Sequence, residues 1–82
     1  MNLRRRIQRL RQRKANVRFR ELVSLVEAAG WELRKVKGSH HYFVKKGRTI
    51  AIFNHSGALK PIYVDRALDE LEREFEEEDE RT

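Results

Sequence analysis

The sequence contains no cysteine, a single proline and only three histidines among its 82 residues. The absence of cysteine excludes disulfides and thiolate-ligated metal sites. Three histidines cannot supply the four nitrogen or sulfur ligands of a structural zinc site, so we expect no metal and no other cofactor. No apolar run approaches the roughly 20 residues of a membrane span, and residues 1–20 lack the apolar core of a signal peptide. We therefore expect a cytoplasmic protein without a membrane partner.

Charge is distributed unevenly along the chain. Residues 1–20 carry nine basic and no acidic side chains, hence +9, whereas residues 21–64 carry seven basic and three acidic ones, hence +4. Residues 65–82 carry three basic and ten acidic side chains, hence −7, which gives the net charge of +6. A basic end of this kind favours a polyanionic partner. The alternative is that the two ends partly neutralise each other, within one chain or between two.

Apolar spacing predicts two helices in the N-terminal part. Three apolar residues share one helical face of residues 1–16: Leu3, Ile7 and Leu10. This spacing predicts a basic helical arm. Either its arginines bind a polyanion, or its apolar stripe packs. The stripe could pack on the domain itself, or on a second chain, in which case the arm would be a homodimer contact. Asn16 is a candidate helix break or N-cap. Residues 17–30 predict a second helix that ends at Gly30.

The middle of the chain is typical of β-structure. Alternating side chains predict strands over residues 31–38, 40–46 and 49–54, with a hairpin turn around Gly47 and a bulge or strand end at Val36. Pro61 suits the first turn of a closing helix. The apolar side of that helix is predicted to comprise Ile62, Val64, Leu68, Leu71 and Phe75.

These elements predict a two-layer α+β fold. Residues 17–75 would form an α-β-β-β-α domain with a three-stranded antiparallel sheet, preceded by the basic helical arm of residues 1–16. Residues 76–82 would form an acidic tail, either as a fraying helix end or as a disordered segment. With both helices on one face of the sheet, the other face is left to solvent or to a partner.

The segment "KGSHHYFVKK" holds two adjacent histidines, His40 and His41. Successive strand residues point to opposite faces, so the two cannot readily serve one site, which argues against a paired metal site. Both can be ordinary strand residues. Alternatively, one of them transfers protons, because histidine titrates near neutral pH.

Basic side chains flank the two histidines and could hold phosphate. They are Lys35, Lys37, Lys45, Lys46 and Arg48, and Ser39 adds a hydroxyl. The alternative is that the lysines form solvated strand edges that discourage aggregation.

Four features follow one another within residues 19–71: a helix that ends at "GW", then "KGSH" followed by Phe43, a third strand that ends at His55, and "LKP" before a closing helix. In these features, residues 19–71 resemble the HicA family of bacterial toxins. The resemblance implies a double-stranded-RNA-binding-like fold and a metal-independent mRNA endonuclease held inactive by a HicB-type antitoxin. The arm and the acidic tail depart from the compact family pattern.

The same resemblance implies that His40, the first histidine after Gly-Ser, is the catalytic residue, with His41 in reserve. His55 is a candidate general acid only if the third strand brings it close to His40. The candidate RNA-binding residues are Lys37, Ser39, Lys45, Lys46 and Arg48 in the sheet and Arg4, Arg5, Arg6 and Arg9 in the arm. The alternative function is a non-catalytic RNA-binding module of the same fold.

Overall fold

Three helices and a three-stranded antiparallel sheet build the protein. The computed structural model describes residues 2–13, 15–54 and 56–81, and it describes the side chains of the last helix through residue 75. The elements are α1 (Leu3–Arg13), α2 (Phe19–Ala28), β1 (Glu32–Lys37), β2 (His40–Lys45), β3 (Arg48–Phe53) and α3 (Pro61–Arg81). The predicted α+β architecture is confirmed, and the backbone of residues 76–81 continues α3. Among the described residues, no helix is long and apolar enough to cross a membrane.

Two tight turns fix the register of the sheet, whose strand order is β1-β2-β3. Lys37 pairs with His40 around Gly38-Ser39, and Lys45 pairs with Arg48 around Lys46-Gly47. Lys46 and Gly47 both have positive φ, at 50° and 78°. Two positive φ values are what a two-residue hairpin turn needs to match the twist of its strands.

The first strand differs from its prediction in two respects. The bulge lies between Leu33 and Lys35 rather than at Val36. All six residues of β1 are exposed, and Leu33 retains 48% of its accessible surface although Trp31, predicted on the same face, is buried. The helices therefore cover the middle and the β3 side of the sheet and leave β1 uncovered on both faces.

One hydrophobic core joins all three helices to the inner face of the sheet. Its largest fully buried side chains are Ile7, Val17, Leu22, Leu25, Val26, Trp31, Phe43, Val64, Leu68 and Leu71. The predicted stripe of α3 is confirmed at Val64, Leu68 and Leu71. It is wrong at Ile62, which is 54% exposed. Ile62 lies in the first turn of α3, where Val64 instead begins the buried stripe.

The end of α2 anchors Trp31 in this core. Gly30 has φ of 93°, the Gly30 N–H donates to the Glu27 carbonyl, and the Trp31 N–H donates to the Val26 carbonyl at 3.2 Å. This is the paired hydrogen-bond pattern of a left-handed helix C-terminus. The predicted helix end at Gly30 is confirmed, and the chain is directed straight into β1.

The N-terminal helix packs on its own domain. Ile7 and Leu10 are buried, and α1 lies against α3 and α2. Asn16 has φ of 60°, a left-handed conformation that separates α1 from α2. Val17 is then buried and accepts a hydrogen bond at 2.8 Å from the Leu59 N–H. Of the two expectations for the arm, the structure agrees with packing of the apolar stripe, and the stripe packs on helices of its own chain.

Arg11 ties α1 to α3 through three carboxylates spaced along α3. Its Nε lies 3.0 Å from Glu72 Oε1, its Nη2 lies 2.9 Å from Asp69 Oδ1, and its Nη1 lies 3.4 Å from Asp65 Oδ1. Partial burial acts to lower the pKa of Arg11, but the hydrogen bonds and charges of Glu72 and Asp69 outweigh it and raise that pKa above its ordinary value. Part of the acidic end thus neutralises part of the basic end within one chain.

Candidate functional site

His40 begins β2 on the open face of the sheet. Its ring lies 5.1 Å from that of Phe53, which is its cross-strand partner on β3, and 6.2 Å from that of Tyr42, two residues along β2. The side chain is exposed. The imidazole is thus held against aromatic rings on one side while it stays accessible from solvent.

The turn before His40 fixes the position of this side chain. Gly38 has φ of 59°, a left-handed conformation that favours glycine. Ser39 accepts a hydrogen bond through its carbonyl from the Asn54 N–H at 2.7 Å. This bond joins the β1–β2 turn to the residue after β3. Lys37 pairs with His40 across the strands, so the two side chains lie on the same face of the sheet.

His41 lies on the opposite face, toward the helices. Its ring meets the edge of Phe19 with centroids 4.9 Å apart. The Nδ1 atom of His41 is buried and has no hydrogen-bond partner within the described part of the chain. The predicted separation of the two histidines is confirmed. Of the two, His40 is the one accessible on the open face.

The predicted cations of the sheet do not form one group. Lys45 faces the helices, where its Nζ lies 2.8 Å from Glu74 Oε2 and donates to the Ala29 carbonyl. Arg48, its cross-strand partner, shares that face. Lys46 lies in the turn at the far end of β2, about 20 Å from His40 at 3.3 Å per residue. Lys37 and Ser39 lie beside His40, and Lys35, which pairs with Tyr42, lies on the same open face.

The predicted arginines of the arm lie on the helical side of the molecule. Arg4 stacks over the ring of Phe75 at 5.0 Å, and Arg6 donates to Ser24 Oγ at 3.3 Å. Arg5 and Arg9 are exposed. Because α1 packs on the other two helices, these side chains and His40 lie on opposite sides of the sheet. His55, the candidate general acid, lies outside the described residues.

A groove opens between the outer edge of β3 and α3, and His40 lies at one end of it. Its volume is about 1010 Å³. The end near His40 is lined by Phe53, Lys60, Tyr63 and Arg66, and the far end by Thr49, Glu70 and Arg73. The pair of Lys45 with Glu74 places the later turns of α3 beside the end of β2, where β3 begins. The helix α3 therefore runs antiparallel to β3.

Sequence reasoning did not identify the α3 side of this groove. The two-residue hairpin turn could have placed Phe53 opposite His40, since it fixes the register. Tyr63 and Arg66 share a helical face at i, i+3, and the Arg66 guanidinium lies 6.0 Å from the Tyr63 ring centre. Nothing local in the sequence shows that this face turns toward β3, because the contact joins elements distant in the chain.

Comparison with known proteins identifies a family but no individual relative. No curated protein and no solved structure matches the chain. The model of the HicA toxin of bacterial toxin–antitoxin systems matches residues 19–72, from the start of α2 into α3. This span is well over half of the sequence, and it contains His40 and most of the groove lining but neither α1 nor Arg73. The chain therefore belongs to the HicA family of toxins.

Proposed function

We propose that this toxin cleaves mRNA and that His40 transfers the proton in the reaction. The observation that carries the proposal is the placement of His40 within the family-matched segment. Its imidazole is exposed on the open face, packed against Phe53, with Lys37 beside it. Histidine is the side chain whose ordinary pKa suits proton transfer at neutral pH.

The reaction would begin at a ribose 2′-hydroxyl. His40 takes the proton of this hydroxyl, and the 2′ oxygen attacks the adjacent phosphorus. The bond from phosphorus to the 5′ oxygen of the next nucleotide breaks, and that oxygen takes up a proton from water. The products are a 2′,3′-cyclic phosphate and a free 5′-hydroxyl. Lys37 would offset the charge that develops on the phosphate oxygens.

Cleavage of a long mRNA in the presence of EDTA tests the proposal. The purified parent is expected to cut the RNA, His40→Ala is expected to cut it at least a hundredfold more slowly, and His41→Ala is expected to cut at a similar rate to the parent. Circular dichroism verifies that each protein is folded. Equal cleavage by the parent and by His40→Ala would overturn the role of His40.

A non-catalytic RNA-binding role is the second candidate, and one observation favours it. His40 and Tyr42 present nearly parallel rings, with an interplanar angle of 26°, on the open sheet face. Rings of this kind can stack on unpaired bases without any reaction. If the protein only binds RNA, the RNA stays intact in the cleavage assay. Affinity then falls with salt at a slope of about −0.7 per phosphate contacted.

A further inference from the structure

The two edges of the sheet are built differently. The β1 edge carries a bulge between Leu33 and Lys35 and three basic residues within six positions. Bulges and lysines are the usual means by which a protein protects an exposed strand edge from pairing. The β3 edge has neither, since all six of its residues pair with β2 without a register shift and only Arg48 is charged. This edge is therefore ready to pair with another strand.

The register shows which backbone groups of β3 point outward. A two-residue turn closes on Lys45 and Arg48, so these two residues exchange both of their backbone hydrogen bonds. Because the pattern alternates, the N–H and C=O groups of Ile50 and Ile52 point toward β2. Those of Thr49 and Ala51 then point away from β2. Both residues line the groove beside α3.

A groove between a strand edge and a helix is a suitable site for an extended peptide. The peptide would add a fourth strand, with its main chain bonded to β3 and alternate side chains directed into the groove. Ile50, Ala51 and Ala67 give this groove an apolar lining. A strand paired along the whole of β3 would be about six residues long and would end beside Phe53 and His40.

Charge along the groove favours a peptide over RNA. At the far end, Arg73 is paired with Glu70 at 3.1 Å, and Asp69 is paired with Arg11. The one arginine of the described lining at this end is thus already neutralised, so little there attracts a phosphate backbone that runs the length of the groove. Near His40, Lys60 and Arg66 are exposed, and neither is paired with a carboxylate within the described part of the chain. An acidic residue at one end of an otherwise apolar strand would match this distribution.

We infer that the antitoxin partner binds by adding an extended, acidic-ended segment to β3 in the groove between β3 and α3. The partner is taken from membership of a toxin–antitoxin family, and the inference rests on the proposed function only for the consequence of covering His40. The bound segment would cover the Phe53 side of His40. It would thereby exclude RNA from the open face without contacting the arm.

Amide hydrogen exchange in the unmodified chain tests the inference directly. The probe is the purified cognate HicB-type antitoxin, added to the ¹⁵N-labelled full chain. The amides of Thr49 and Ala51 are expected to exchange at least tenfold more slowly in the complex. The amide of Val36, on the β1 edge, serves as the control and is expected to keep its rate. Unchanged exchange at Thr49 and Ala51, or the absence of any complex, would overturn the inference.

Matched proline variants give a second readout. Ala51→Pro removes an outward N–H from the β3 edge, and Val36→Pro makes the same change on the β1 edge. Ala51→Pro is expected to raise the Kd for the antitoxin at least tenfold, and Val36→Pro is expected to change it less than twofold. Equal effects of the two would refute strand addition. If Ala51→Pro loses as much affinity for RNA as for the antitoxin, the groove is an RNA site and the inference is refuted. If the parent is a dimer that Ala51→Pro dissociates, the groove binds a second copy and the inference is likewise refuted.

Charge variants keep the inference testable if Ala51→Pro fails to fold. Arg66→Glu is expected to weaken antitoxin binding at least fivefold, whereas Arg20→Glu, an exposed change on α2, is expected to leave it within twofold. Equal affinities of Arg66→Glu and the parent would contradict the acidic end of the strand. Failure of the RNA cleavage assay with free toxin would refute the proposed function and leave these binding results valid.

Discussion

Replacement of Arg11 by methionine should destabilise the protein measurably, although the side chain lies near the surface. Methionine keeps the unbranched stem but removes the guanidinium that joins α1 to three carboxylates of α3. An isolated exposed ion pair contributes about 0.5 kcal/mol. Three pairs at 2.9, 3.0 and 3.4 Å share one guanidinium, and the Arg11 side chain is only 30% exposed. We therefore expect a loss of about 1.5 kcal/mol in the free energy of unfolding.

Thermal unfolding followed by circular dichroism measures this loss. For a domain of this size, 1.5 kcal/mol corresponds to a fall in Tm of about 6–12 °C. The control is Arg9→Met, which removes an exposed arginine from the same helix and should change Tm by less than about 2 °C.

Salt and pH separate the electrostatic contribution of Arg11 from other effects. At about 1 M salt the Debye length falls to roughly 3 Å, so the gap between parent and Arg11→Met should narrow. A raised arginine pKa gives stability that is fully present below the unfolded-state value and is lost only at strongly alkaline pH. The gap should thus be the same at neutral and mildly alkaline pH. Equal Tm values for Arg11→Met and Arg9→Met would refute the reasoning.

Three further substitutions test packing on the helical side of the sheet. Ile7→Ala should lower the free energy of unfolding by about 2–4 kcal/mol in urea titrations, because a fully buried side chain leaves a cavity; a change below about 0.5 kcal/mol would show that α1 is not part of the core. His41→Phe should raise Tm slightly and preserve RNA cleavage, since it removes a buried nitrogen without a partner and keeps the ring contact with Phe19; loss of cleavage in a folded variant would restore His41 as the catalytic candidate. Gly30→Ala should cost about 1–3 kcal/mol, because φ is 93° and the added Cβ would lie 3.1 Å from Lys45 Nζ; an unchanged Tm would contradict this.

Most helices and strands were predicted correctly, because strand alternation and helix ends depend on residues that are close in the sequence. Alternation placed His40 and His41 on opposite faces of β2, and a glycine after an apolar helical stripe placed the end of α2 at Gly30. The helix boundaries were less accurate. Residues 17 and 18 were expected within α2, but Val17 leaves the helix to bond with Leu59, a partner more than forty residues away. Such a partner cannot be read from the neighbouring sequence.

The composition of the site was harder to predict for the same reason. Lys45 was grouped with His40 by proximity in the sequence, yet it is on the other face and is neutralised by Glu74. In contrast, Lys60 and Arg66 reach the His40 end of the groove through the path of α3. Periodicity showed that α3 has an apolar face, but it could not show which polar residues of α3 lie beside β3. It also placed Ile62 on the buried side together with Val64, whereas Ile62 is exposed and Val64 is buried.

The packing of α1 against α3 makes the order of synthesis matter. The first helix is made early, but the helix that buries Ile7 and holds Arg11 begins 48 residues after α1 ends. At the usual rates of translation, of 5–20 residues per second, α1 lacks that partner for about 2–10 s. During this interval, α2 and the two hairpins can begin to form, because their backbone contacts are local. The nascent toxin therefore becomes fully stable only when its acidic last helix is made, so synthesis of α3 is the step that completes folding.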